Sequence, residues 1–233
     1  GDTASSMLWK LFSVYLMFFY TDIGGIDAWV VGVLFLVTRI WDSLLDPVVG
    51  LLCDRTSSRW GTFRPWLLWG ALPFGALGVL TFYMPEWGAG GKVVYATVTY
   101  SLMMIVYSSV NVPYAALLGV MSADPHERTV LAAFRMTFAA AGSMAVVLAV
   151  EALVKAFRPW AGSSGSWTAA VAVVAGVAVV LFFVTFSTTR ERVRPVRTER
   201  HPVLVSLRDL LHNRPWLILA GAAVCLQGFN AFR

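Results

Sequence analysis

The chain has 233 residues, of which 58% are hydrophobic and 13% are charged, and its formal net charge is +5. Soluble domains usually carry about 25% charged residues, so this composition excludes an ordinary soluble protein and indicates a polytopic membrane protein. The positive charge does not predict nucleic-acid binding, because the basic residues collect in particular loops, where they report membrane orientation instead.

Six apolar segments are each long enough to cross a membrane as a helix, which takes roughly 20 residues. A seventh begins near Trp216 and reaches only to Arg233. The sequence therefore predicts an all-α fold, a polytopic transmembrane helix bundle. The six segments cover residues 5–21, 28–53, 65–84, 93–121, 129–154 and 167–188.

Lysine and arginine are divided unequally between the connections that join these spans. The even-numbered connections hold eleven arginines, whereas the odd-numbered ones hold only Lys92, Lys155 and Arg158. Basic residues near the ends of spans favour the cytoplasmic side. We therefore expect the N-terminus to lie in the cytoplasm.

Span two places Arg39, Asp42 and Asp46 inside apolar sequence. Their spacing of three and four residues puts all three on one face of a helix. Two carboxylates one turn apart in a medium of low dielectric cannot both ionise comfortably unless a cation joins them or one takes a proton. This pattern predicts a coupling-ion site. The alternative is that Arg39 neutralises Asp42 and that Asp46 only begins a kink at Pro47.

Span four contains a second polar cluster in YSSVNVPY. Tyr107, Ser108 and Asn111 can share one face of the helix, because Asn111 follows the other two by four and three residues. Pro113 frees backbone carbonyl groups nearby. Packing of a small residue at a helix interface is the alternative for Ser108.

Span five carries Arg135 well inside apolar sequence. A buried arginine needs an acidic partner or a polar ligand, and its forked donors suit paired sugar hydroxyls or a carboxylate. A purely structural ion pair with Asp2, Asp42 or Asp46 is the competing interpretation.

The loop after span two reads DRTSSRWGTFRP and, together with Gly50, resembles the Gly-x-x-x-Asp-Arg-x-x-x-Arg loop of the major facilitator superfamily. Six spans followed by a long basic loop also match one half of such a transporter, in which two six-helix halves rock around a site at the membrane midplane. The resemblance implies that Asp54, Arg55 and Arg59 form a gating loop that latches one half to the other. An ordinary basic cytoplasmic turn is the alternative.

This layout predicts three parts of the chain. Residues 1–188 would form the N-terminal six-span half, residues 189–215 a cytoplasmic linker between halves, and residues 216–233 the truncated start of span seven. We therefore expect the chain to be a fragment that lacks a short N-terminal lead and a C-terminal half of the same transporter.

Longer motifs make the resemblance more specific. The stretches FFYTDIGG, LFLVTRIWDSLLDP, SSRWGTFRPW, NVPYAALLGVMSADPHERTVLAAFR and LLHNRPWLIL resemble the glycoside–pentoside–hexuronide cation symporters, a family of melibiose permease-like transporters. The resemblance implies cation-coupled symport of a sugar or glycoside by alternating access. The implied cation ligands are Asp42, Asp46 and Ser108, the two aspartates being metal ligands if the coupling ion is sodium. The implied sugar-binding residues are Asp2, Tyr107, Asn111 and Arg135.

Two departures from the family pattern change the expectation. Leu45 stands where the family permease has an asparagine that helps to hold sodium, so one neutral oxygen ligand is missing and a proton is favoured over sodium as the coupling ion. Asn111 replaces a sugar-binding aspartate and Ala115 a tryptophan of the sugar site. A xyloside, a glucuronide or another oligosaccharide is therefore as plausible as a galactoside.

The sequence thus predicts a transporter of the bacterial inner (plasma) membrane that needs no cofactor. Its partners would be a small sugar or glycoside, the lipid bilayer and the other half of the same chain. A membrane enzyme is not expected, because neither HExxH nor GxSxG occurs. Two further alternatives stay open at this stage, a symporter for a lysolipid or other amphipathic solute and a non-transporting membrane scaffold.

Overall fold

The computed structural model describes residues 1–191 together with residues 213–215, 217, 218, 221 and 222. The chain divides into two compact units, Gly1–Arg194 and Pro195–Arg233. All helices named below belong to the first unit. The predicted linker and the predicted start of span seven fall mostly outside the described residues and stay predictions.

Secondary structure in the described part of the first unit is helical, apart from one isolated bridge between Ser58 and Gly61. The first span begins as an α-helix and continues through two π-helical turns, Phe12–Leu16 and Phe19–Ile23. The α-helices are α1 (Asp2–Leu11), α2 (Ala28–Arg55), α3 (Arg64–Thr81), α4 (Ala89–Met121) and α5 (Pro125–Thr188).

Local sequence explains where several helices begin. Asp27 caps α2, because its carboxylate accepts a hydrogen bond of 2.9 Å from the backbone N–H of Trp29. Asp124 caps α5 in the same way, at 2.9 Å from the N–H of His126. Short acceptor side chains at this position satisfy the free N–H groups of a helix start. Proline follows the capping position in α5, where its fixed φ suits the first turn.

Helix α5 is too long to be a single membrane span. Its 64 residues would reach about 96 Å if straight, against roughly 30 Å for the hydrocarbon core of a bilayer. The helix is interrupted at Gly162, whose φ of 70° and ψ of −171° are open to glycine but strained for any other residue. The predicted spans five and six lie on either side of this break.

The chain reverses direction at the break in α5. The segment before Gly162 runs parallel to the first span, and the segment after Gly162 runs antiparallel to it. The contacts that show this are Asp2–Arg135, Tyr15–Glu151, Tyr15–Trp167 and Gly1–Thr185.

The outer surface of the bundle suits a lipid environment. Among the described residues, helices α2, α4 and α5 are long and apolar enough to cross a membrane. Large apolar side chains stay exposed on them, among them Leu36, Ile40 and Leu148. Exposed apolar surface of this extent is unusual on a soluble monomer and normal where lipid covers it.

Candidate functional site

Helices α2 and α4 bring together two of the three predicted cation ligands. The hydroxyl of Ser108 donates a hydrogen bond of 2.7 Å to Oδ1 of Asp42. Ser108 is buried, with 3% of its surface exposed, whereas Asp42 is half-buried and Asp46, one turn along α2, is exposed. We call Asp42, Asp46 and Ser108 the carboxylate cluster.

Arg39 does not lie against the carboxylate cluster as a salt-bridge partner. Within the described residues, the one ion pair with an N–O distance of 4.0 Å or less joins Asp2 to Arg135. The guanidinium of Arg39 lies instead over the indole of Trp9, 4.6 Å from the ring centroid, as a cation–π contact. Asp42 therefore accepts a hydrogen bond from a neutral hydroxyl and is not part of an ion pair within 4.0 Å in the described residues.

The carboxylate cluster offers oxygen atoms of the kind that hard cations and protons bind. It contains two carboxylates and one hydroxyl, and oxygen ligands suit hard metal ions. Among the described residues, no group of three or more histidine, cysteine, aspartate or glutamate side chains could hold a metal ion. The cluster is thus chemically suited to a proton or to a cation that draws further oxygens from elsewhere.

A second cluster joins the start of α1 to α4 and α5. Nε of Arg135 donates to Oδ2 of Asp2 at 2.6 Å, and Nη2 donates to Oδ1 at 3.0 Å. Tyr114 donates its hydroxyl to Oδ2 of Asp2 at 2.8 Å, and the guanidinium lies 4.3 Å from the centroid of its ring. We call Asp2, Arg135 and Tyr114 the arginine cluster.

The arginine cluster keeps donors and acceptors for a ligand. A guanidinium carries five N–H donors, and Arg135 directs two of them to Asp2. The ion pair is partly open, since 25% of the Arg135 side chain and 21% of the Asp2 side chain are exposed. A polyhydroxylated ligand could therefore add hydrogen bonds to both members of the pair. The sequence did not single out Tyr114, although it follows Tyr107 by seven residues, two turns along the same face of α4.

Tyr107 and Asn111 lie on α4, the helix that also carries Ser108 of the carboxylate cluster and Tyr114 of the arginine cluster. The ring of Tyr107 packs 5.0 Å from Trp9 and 6.1 Å from Phe74, measured between centroids. The amide nitrogen of Asn111 is buried, and the Asn111 side chain interacts with the hydroxyl of Tyr107, four residues before it on α4. The two side chains therefore form one polar pair on this face of α4. Trp9, which touches both Arg39 and Tyr107, was also missed by the sequence reasoning.

The predicted gating residues lie at the end of α2, where Asp54 and Arg55 are its last two residues, and in the loop that follows, which holds Arg59. Asp54, Arg55 and Arg59 are all exposed. The guanidinium of Arg59 lies over the indole of Trp60, 4.3 Å from its centroid. The three side chains therefore stay accessible to a facing surface, and their role as a latch stays a prediction.

Long apolar helices that enclose charged and polar clusters define an integral membrane protein of the transporter class. A family model described as MFS/sugar transport protein matches residues 1–229. The chain therefore belongs to the MFS/sugar transport protein family. This match confirms the all-α fold, the membrane location of the helices and the expectation of a transport protein rather than an enzyme.

Individual relatives agree with the family match. The chain is 45% identical to the putative glycoside/cation symporter YagG of Escherichia coli (strain K12) over 233 residues, covering 100% of this chain and 50% of the relative. It is 41% identical to the inner membrane symporter YicJ of the same organism over 240 residues, covering 98% and 50%. It is 40% identical to the isoprimeverose transporter of Lactiplantibacillus pentosus over 221 residues, covering 94% and 46%. The names confirm the resemblance to glycoside–pentoside–hexuronide cation symporters, and the chain spans about half the length of these relatives.

Proposed function

We propose that the full protein carries out cation-coupled symport of a sugar or glycoside by alternating access, with this chain supplying the N-terminal six-span half. The observation that carries the proposal is the hydrogen bond between Ser108 and Asp42, which ties a carboxylate of span two to a hydroxyl of span four. The family and the names of its members support the reaction class. The predicted division at residues 188 and 215 is part of the same proposal.

The carboxylate cluster would bind the coupling ion. Asp42 and Asp46 lie one turn apart, so their negative charges repel each other in a medium of low dielectric. A bound cation or proton relieves this repulsion, and its release restores it. The occupancy of the cluster therefore changes the local charge of span two, which is what an ion-driven transporter needs in order to link ion binding to a change of conformation.

A proton is the better candidate for the coupling ion. Leu45 lies between the two aspartates and offers no oxygen ligand, whereas a proton needs only one carboxylate. Sodium would have to recruit oxygens beyond Asp42, Asp46 and Ser108, because a metal ion in a protein is coordinated by several ligands. We therefore assign proton coupling to the full transporter, with the two aspartates as metal ligands only in the sodium case.

The arginine cluster would bind the glycoside. Asp2 and Arg135 together present acceptors and donors at a fixed spacing, which matches the paired hydroxyl groups of a sugar ring. Tyr107 and Asn111, which interact with each other on α4, extend this polar surface. The names of two relatives, a putative glycoside/cation symporter and an isoprimeverose transporter, support a glycoside as the cargo. The other half of the full chain would complete the site.

The proposed setting is the bacterial inner membrane, surrounded by lipid, with the N-terminus in the cytoplasm. The name of the inner membrane symporter YicJ supports the location. The excess of arginine in the even-numbered connections supports the orientation.

Uptake measurements on the full-length protein test the proposal. A panel of labelled glycosides is offered to proteoliposomes with and without sodium, at two pH values and with an imposed proton gradient. We expect one glycoside to accumulate above its external concentration when the gradient is present. Asp42→Asn and Asp46→Asn should each abolish this accumulation, while Glu86→Gln, an exposed carboxylate in the loop before α4, should leave it unchanged. Accumulation that survives both aspartate substitutions would show that the carboxylate cluster is not the ion site.

A further inference from the structure

The end of span six is attached to the loop between α2 and α3 by one carboxylate. Glu191 follows α5 and accepts three backbone hydrogen bonds from the start of α3. The donors are the N–H groups of Thr62, at 2.9 Å from Oε2, and of Phe63 and Arg64, at 2.8 and 3.1 Å from Oε1. These N–H groups belong to a helix start, where they have no partner within the helix and where a negative charge is favoured.

Glycine at position 61 makes this arrangement possible. Gly61 has a φ of 112°, which places it in a region that other residues rarely adopt. A Cβ atom at this position would overlap the carboxylate of Glu191. Gly61 therefore both turns the chain and leaves the space that the carboxylate of Glu191 occupies.

Arg64 provides a second attachment between the same two segments. Its Nη2 donates to the backbone carbonyl of Phe186 at 2.6 Å, and its guanidinium lies 4.8 Å from the centroid of the Phe186 ring. The ring of Trp60 meets Phe186 edge to face at 6.1 Å. The loop from Trp60 to Arg64 is thus fixed to the end of span six by backbone, charge and aromatic contacts together.

The attachment joins the predicted gating region to the start of the predicted linker between the two halves. The segment from Trp60 to Arg64 comes directly after the predicted gating residues Asp54, Arg55 and Arg59. Glu191 stands at the beginning of the predicted linker between the two halves. Any movement of the linker that displaces Glu191 removes three hydrogen bonds from the gating loop at once.

We propose that Glu191 is a positioning residue for the gating loop, holding it against span six so that movement of the linker and the conformation of the gate change together. This inference rests on the proposed function, because it assigns the loop a part in alternating access. Glu191 touches neither cluster in the described residues, so it should affect the rate of the conformational change and leave glycoside binding unaltered.

Hydrogen exchange of the full-length protein, measured by mass spectrometry, tests the attachment directly. Glu191→Ala should speed exchange of the amides of residues 62–64 by roughly fivefold or more, since a lost hydrogen bond to a charged group exposes the donor. Glu191→Gln keeps an oxygen for two of the three donors and should give a smaller effect. The control Glu86→Ala should leave residues 62–64 unchanged. Unaltered exchange in Glu191→Ala, or faster exchange in α4 to the same degree, would overturn the proposal.

Transport kinetics supply the second measurement. In Glu191→Ala the maximal rate of net glycoside uptake should fall several-fold, while the dissociation constant of the glycoside in equilibrium binding stays within about twofold of the wild type. Gly61→Ala should change both measurements in the same direction, and its effect should shrink in the Glu191→Ala background because the overlap is relieved. Faster exchange with an unaltered maximal rate would show that the attachment does not position a gate. If the wild type takes up no glycoside, the proposed function fails, and the exchange series alone then supports or overturns the attachment.

Discussion

Substitution of Asp2 by asparagine separates a sugar-binding role of the arginine cluster from a structural one. Asparagine keeps the shape of the side chain and one oxygen, which can take the place of Oδ2 and accept from Arg135 and Tyr114. Its amide nitrogen would then stand where Oδ1 now accepts from Nη2 of Arg135 at 3.0 Å. Two donors would face each other, and the negative charge would be gone.

The size of the effect follows from the hydrogen bonds that Asp2 would make to the ligand. The pair is open to a ligand, since 21% of the Asp2 side chain and 25% of the Arg135 side chain are exposed. One lost hydrogen bond between a sugar hydroxyl and a charged carboxylate costs about 1.5–3 kcal/mol of binding. We therefore expect the dissociation constant to rise by roughly 10-fold to 100-fold, whereas the cost of breaking the pair itself lowers the stability of the protein with and without ligand.

Equilibrium binding of the transported glycoside to the purified full-length protein measures this change. Glu151→Gln is the matched control, since it makes the same chemical substitution at an exposed carboxylate of α5 that accepts only a 3.5 Å hydrogen bond from Tyr15. The control should bind glycoside as the wild type does. If Asp2→Asn lowers the melting temperature but leaves the dissociation constant within about threefold, the pair is structural and the sugar site lies elsewhere.

Three further substitutions test the site and the fold. Ser108→Ala should lower concentrative uptake by roughly tenfold, because the carboxylate cluster loses the hydroxyl that orients it. The control Ser109→Ala should leave uptake unchanged, because the hydroxyl of Ser109 donates to a backbone carbonyl of its own helix. Equal uptake by both variants would contradict the ion-site assignment. Gly162→Ala should destabilise the protein by about 1 kcal/mol or more in thermal unfolding, because alanine is strained at a φ of 70°. The control Gly176→Ala has open space around its added methyl group and should be neutral or stabilising. A larger loss of stability in Gly176→Ala than in Gly162→Ala would contradict the break in α5. Asp27→Ala should cost about 1 kcal/mol in the same measurement through the lost cap of α2, and an unchanged melting temperature would show that this cap adds no stability.

The fold was largely predictable from the sequence because a membrane constrains it so strongly. Within residues 1–191, the six predicted spans are helical, since backbone groups in lipid must be satisfied within the helix itself. The boundaries were less predictable. The first span was expected from residue 5 and begins at Asp2, and the turn between spans five and six forms at a single glycine, Gly162, within one long helical run.

The candidate site was predictable only where residues on one helix define it. Helical spacing placed Asp42 and Asp46 on one face of α2, and that spacing requires no knowledge of neighbouring helices. Tyr114 and Trp9 were missed, because their contacts depend on which helices pack together. The pairing of Asp2 with Arg135 had been one of several alternatives, and only three-dimensional packing distinguishes among them. The roles of all these residues in transport stay predictions.

The indole of Trp9 contacts Arg39 and Tyr107, which neighbour the two clusters along α2 and α4 but belong to neither. Arg39 lies three residues before Asp42 on α2, and Tyr107 lies on α4. The ring cannot tilt or shift without altering a contact beside the ion ligands and another beside the sugar ligands. If the two clusters bind ion and glycoside as proposed, a shift of this one ring on binding of either solute would be felt beside the other site, and the coupling would be equal in both directions.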